Sequence, residues 1–81
     1  GCQIDYMLQT KLGTLYVCEI KFTRDRLGLE VITSLKQKIE RMVIPKNTSI
    51  VPVLIHLGDV QDNVIDEQYF GKIINLKDLL I

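Results

Sequence analysis

The sequence predicts a small α/β domain with a mixed sheet, its elements running strand, strand, helix, strand, short strand. Three observations carry this. Residues 3–22 read as two strands around a glycine-closed loop. Leu29, Ile32, Leu35, Ile39 and Met42 then recur at helical spacing. A nearly continuous apolar run, Ile50-Val51-Pro52-Val53-Leu54-Ile55-His56-Leu57, follows that helix. Burial on both faces is typical of a parallel strand reached by a helical crossover.

The hairpin comes first. Gln3 to Gln9 and Leu15 to Phe22 form its arms, joined by Thr10-Lys11-Leu12-Gly13-Thr14. A three-residue loop ending on a left-handed glycine is a common hairpin connection. With Lys11-Leu12-Gly13 as that loop, Thr10 sits opposite Thr14, and counting back sets Asp5 opposite Glu19. Directly opposed residues have β-carbons about 4.5–5.5 Å apart. Alternation puts Lys21 on the face of Glu19. Two carboxylates and an amine thus converge inside a largely apolar run, where charges are costly unless paired or metal-bound. Two readings follow from the residues. Lys21 pairs with Glu19 and Asp5 at a solvated sheet edge, or a hard divalent cation sits between the carboxylates. Magnesium takes one or two carboxylates plus water and substrate phosphate.

After Phe22, Thr23-Arg24-Asp25-Arg26 reads as a polar loop, with Asp25 as a candidate helix cap. The helix is expected over about residues 27–43, with Glu30, Lys36, Gln37, Glu40 and Arg41 on its solvated face, and with Pro45 and Asn47 ending it. The third strand covers Ser49 to Leu57. Its Pro52 lacks a ladder donor and suggests a strand start or an edge. His56 reads as a strand-end histidine, with a ligand or base role as the alternative. Asp59 to Gln68, with Asp59, Asp62, Asp66 and Glu67, is an acidic loop with one helical turn near Val64. Ile73-Ile74 is a last short strand, and Asn75 caps a final turn over Leu76 to Leu80.

Composition bounds the function. The 81 residues, 47% hydrophobic, make one domain with one modest core. Ten basic and ten acidic residues cancel, which removes the cheapest argument for nucleic-acid binding but leaves room for a local basic face. No apolar run reaches the length of a membrane span, so no membrane partner is expected. Cys2 and Cys18 are not opposed in the hairpin register, so no disulfide is expected and the compartment reads as reducing, hence cytoplasmic. Two cysteines and one histidine fall short of a zinc site. There is no glycine-rich phosphate loop.

The hairpin residues also resemble a family. Ile4-Asp5, followed by Val17-Cys18-Glu19-Ile20-Lys21-Phe22, is similar to the acidic motif of the PD-(D/E)XK nuclease superfamily. The wider stretches Gly1 to Asp5 and Leu15 to Lys21, with Pro52 to His56 and Tyr69 to Ile74, resemble the C-terminal nuclease-like domain of prokaryotic AAA-type ATPases of unknown role. The resemblance implies a truncated restriction-endonuclease-like core lacking its N-terminal helix, part of a larger ATPase-type protein. It implies magnesium or manganese on Asp5, Glu19 and the carbonyl of Ile20, and phosphodiester hydrolysis of DNA with Lys21 as the third catalytic residue. Lys38 is carried over as a nucleic-acid-binding residue donated by the helix. A missing helix would leave one sheet face uncovered, inviting a homodimer or a partner such as the ATPase domain. A non-catalytic interaction or structural domain is the alternative function.

Overall fold

The computed structural model describes residues 6–10 and 12–79 of the chain. The hairpin forms as its loop length dictates. Thr10 N–H donates to the Thr14 carbonyl at 2.8 Å, and Gly13 takes the left-handed conformation at φ 79°. β1 (Tyr6–Gln9) and β2 (Thr14–Lys21) pair antiparallel, with Gln9 opposite Leu15 and Tyr6 opposite Cys18. That is the expected register as far as the described residues reach. Asp5, predicted opposite Glu19, and Cys2 lie outside them.

The chain then crosses through α1 (Glu30–Glu40) to β3 (Ser49–His56), which lies parallel to β2. A short helix, α2 (Asp62–Asp66), precedes β4 (Lys72–Asn75), which is parallel to β3. A single 3-10 turn over Leu76–Leu79 follows, where Lys77 N–H donates to Asn75 Oδ1 at 3.0 Å, as the capping expectation requires. The product is a small α/β domain with a four-stranded mixed sheet in the order β1-β2-β3-β4 and two helices.

Three local readings differ from expectation. α1 is shorter than 27–43 at both ends. Asp25 does not cap it: Asp25 N–H turns back to Thr23 Oγ1 at 3.1 Å. Glu30 supplies the carboxylate at the helix start instead, accepting from Gly28 N–H at 3.1 Å, and its own backbone N–H, with that of Gly28, holds its carboxyl below its ordinary pKa. Pro52 lies within an internal strand. Its carbonyl accepts from Gly71 N–H, so its donor-free nitrogen faces the β4 side, ahead of the first β3–β4 pair at Val53 and Lys72. The missing donor therefore interrupts no described rung. Leu29, assigned to the apolar stripe, is exposed, while Val31 is buried.

Both helices pack on one face of the sheet. Leu15 and Val17 of β2, Leu54 of β3, Ile32 and Leu35 of α1 and Val64 of α2 join one core cluster. The opposite face presents Leu8, Tyr16, Cys18, Val53, Ile55 and Ile74 around a shallow apolar groove of about 260 Å³. Among the described residues no helix covers that face. Cys18 there is a free, buried thiol whose pKa burial raises. No helix among the described residues is long and apolar enough to cross a membrane.

Candidate functional site

Strand alternation sends Val17, Glu19 and Lys21 toward the helical face, because Val17 is in the core cluster and side chains repeat with period two. Glu19 is fully buried, set beside Leu54 as its partner on β3. A carboxylate in such a position needs compensation, and two lysines supply it. Lys38 Nζ donates to both oxygens of Glu19, at 3.0 Å to Oε1 and 3.1 Å to Oε2. Lys21 Nζ lies 3.2 Å from Oε1. The two amines differ in access: the Lys21 side chain is 38% exposed and that of Lys38 is 22% exposed. Lys21 therefore stands at the mouth of the cluster.

Lys38 reaches Glu19 because α1 docks with Val31 and Leu35 against the sheet. Lys38 lies three positions beyond Leu35 and seven beyond Val31, on the same helix stripe. The structure thus brings Glu19, Lys21 and Lys38 of the expected site together. Asp5 lies outside the described residues. Ile20 is on β2 between the two charged residues, paired with Ile55. The Lys21 carbonyl accepts from Leu57 N–H on the β3 side, so the Ile20 peptide group alternates to the β1 side of the strand.

His56 is more than a strand-end residue in position. It is buried, it is the β3 partner of Lys21, and it faces the helical side like Leu54. Its Nδ1 lies 2.6 Å from the Gly58 carbonyl. A carbonyl only accepts, so Nδ1–H is the donor in this contact. Its sequence signal was weak, because a lone histidine at a strand end has no spacing to read.

Two clefts open at the C-terminal ends of the parallel strands. One, about 370 Å³, is lined by Lys21, Thr23, Asp25, Arg26, Glu30 and Ser34 among others. The second, about 470 Å³, is lined by Thr23, Arg24, Leu57, Gly58, Asp59 and Lys77. Thr23 borders both. In open α/β sheets this end of the strands is where ligands bind. Sequence reasoning missed Arg24 and Lys77, which lie far apart in the chain and border one cleft because β2, β3 and β4 run parallel.

The donor set can be weighed against the cation that the resemblance implies. Glu19 and the Ile20 carbonyl offer oxygen, the donor type magnesium and manganese prefer. A carboxylate has about four lone-pair positions, and three contacts from lysine Nζ atoms leave Glu19 room for one more. The described residues contain no group of three or more His, Cys, Asp or Glu side chains placed to hold a metal. The donors fit a hard cation in kind, with most of the coordination left to water and substrate oxygen. No family model, curated protein or solved structure matches the chain.

Proposed function

We propose that the chain is a nuclease-like domain of the PD-(D/E)XK type, built to hydrolyse phosphodiester bonds of DNA with magnesium or manganese. The observation that carries this reading is the fully buried Glu19 with Lys21 beside it at the edge of a cleft. A buried acid offset by lysines at the C-terminal end of a parallel strand is a charge cluster next to a cleft, the place in such sheets where ligands bind. The small α/β domain with a four-stranded mixed sheet supports this reading at the level of fold class, and α2 stands between β3 and β4 where the reading expected no helix. Glu19 and the Ile20 carbonyl, with Asp5, would hold the cation. The bound cation would polarise a phosphoryl oxygen and acidify its water. Lys21, the more exposed amine, would orient the attacking water or stabilise charge developing on phosphate. Lys38, which donates to both Glu19 oxygens, would hold the carboxylate in place from the helix side.

The second reading keeps the same scaffold without chemistry, as an interaction or structural domain, for instance one serving an ATPase. The two-oxygen grip of Lys38 on Glu19 favours it, since a carboxylate already neutralised has less need of a cation.

A manganese titration separates the two. Under the nuclease reading, millimolar manganese raises the melting temperature by preferential binding to the folded state, and Glu19→Gln removes the shift. Plasmid and single-stranded DNA are cleaved in manganese, and Lys21→Ala abolishes cleavage. An unchanged melting curve together with intact DNA assigns Glu19, Lys21 and Lys38 to an ion-pair cluster.

A further inference from the structure

The cleft lined by Arg24 and Lys77 is not used by the chemistry assigned above. Its walls come from three places: the loop after β2, the end of β3 and the turn after β4. Arg24 and Lys77 are both exposed. Among the described residues neither forms an ion pair, unlike Lys21 and Lys38. Among the same residues Asp59 is the one carboxylate lining the cleft. Two cations against one anion leave a local charge of about +1. That charge attracts phosphate oxygens, of a diester or of a monoester. Arg24 adds a planar fork of donors matched to phosphate oxygens, and Lys77 adds a mobile point charge.

Position identifies which phosphodiester. Thr23 borders both this cleft and the one containing Lys21. Leu57, on the wall of the second cleft, donates its N–H to the Lys21 carbonyl at 3.2 Å. A strand whose scissile phosphate lies at Lys21 therefore passes over Thr23 and places a neighbouring phosphate between Arg24 and Lys77. We infer that the Arg24–Lys77 cleft is a subsite for a phosphodiester flanking the reacting one, and that it positions a nucleic-acid strand across the C-terminal ends of β2 and β3. This inference rests on the nuclease reading for the phosphodiester and its strand, and on the cleft alone for the binding of phosphate.

The test is amide chemical-shift mapping of the full chain with three probes: a short single-stranded deoxyoligonucleotide, a nucleoside monophosphate and inorganic phosphate. The oligonucleotide is expected to shift Arg24, Gly58 and Lys77 saturably, and to bind more tightly than the nucleoside monophosphate or inorganic phosphate. Arg24→Gln with Lys77→Gln is expected to weaken oligonucleotide binding about tenfold or more. It should also reduce the salt slope by roughly 0.7, the value for one single-strand phosphate no longer neutralised. Both side chains are exposed, so unchanged shifts elsewhere verify the fold of the double variant. Absence of shifts at this cleft, or unaltered affinity in the double variant, overturns the subsite. Inorganic phosphate binding as tightly as the oligonucleotide overturns the diester assignment. Cleavage is read separately with Lys21→Ala. Binding at the cleft without any manganese-dependent cleavage defeats the nuclease reading alone, and cleavage without binding at the cleft defeats the subsite alone.

Discussion

Removing the Lys38 amine should be among the most damaging single changes near the cluster. Lys38→Met keeps much of the side-chain length and apolar stem, but leaves the fully buried Glu19 with Lys21 as its remaining described amine partner. Breaking a buried pair from one side costs about 3–5 kcal/mol, because an uncompensated charge stays behind. Here Lys21 remains 3.2 Å from Oε1, and Lys38 itself is partly exposed. These two discounts bring the cost below that range, to about 2–3 kcal/mol. For a domain of this size each kcal/mol moves the melting temperature by about 4–8 °C, so a fall of about 10–20 °C is expected in a circular-dichroism melt. Adding Glu19→Met should restore most of the loss, since replacing both charges with apolar groups is often neutral or stabilising. Lys21→Met, removing the more exposed amine and a single contact, should cost no more than about 1 kcal/mol. A Lys38→Met melt within about 3 °C of the parent, which is under about 1 kcal/mol, would refute the reasoning. So would a double variant as unstable as the single one.

Leu54→Ala opens a void beneath α1 at a fully buried position and should cost about 2.7–5 kcal/mol, read from urea midpoints at unchanged slope. Gly58→Ala places a β-carbon 2.6 Å from the Thr23 carbonyl oxygen. It should cost about 1–3 kcal/mol as the loop after β2 shifts, with amide shifts at Thr23 and Arg24 as the check. Glu30 has a lowered carboxyl pKa in the folded state, so its stabilising effect is full above its ordinary value of 4.5 and is lost as pH falls through the lower folded value. Glu30→Gln should therefore flatten the melting temperature against pH between the folded value and 4.5, and leave a small, constant loss above 4.5.

How far the sequence could be read depended on the range of the forces involved. The β1–β2 ladder was legible because a three-residue loop sets the pairing of Thr10 with Thr14, and every later pair follows by counting. The parallel β2–β3 pairing was legible from the apolar run after a helix. The ends of α1 were not. Thr23 takes the Asp25 amide, and Glu30 takes the Gly28 amide, and composition does not choose between such local competitors. Glu19 and Lys21 were visible as charges within an apolar strand. The Lys38 contact depended on the rotation of α1 about its axis, which Val31 and Leu35 set by packing. A stripe drawn through Leu29 misplaces that rotation, because Leu29 faces solvent.

The charge cluster also couples secondary-structure elements in time. Strand order in the sheet equals chain order, so the hairpin can form early from local contacts, whereas β3 must wait for a long loop to close. In an isolated hairpin Glu19 stays hydrated. It can be buried only when α1 arrives with Lys38, since that helix brings the amine that grips both oxygens. Any opening that lifts α1 from the sheet strips Glu19 of this partner and of its cover together. β2 and α1 should then exchange their amide hydrogens as one cooperative unit, with no intermediate in which the helix has left and the strand remains closed.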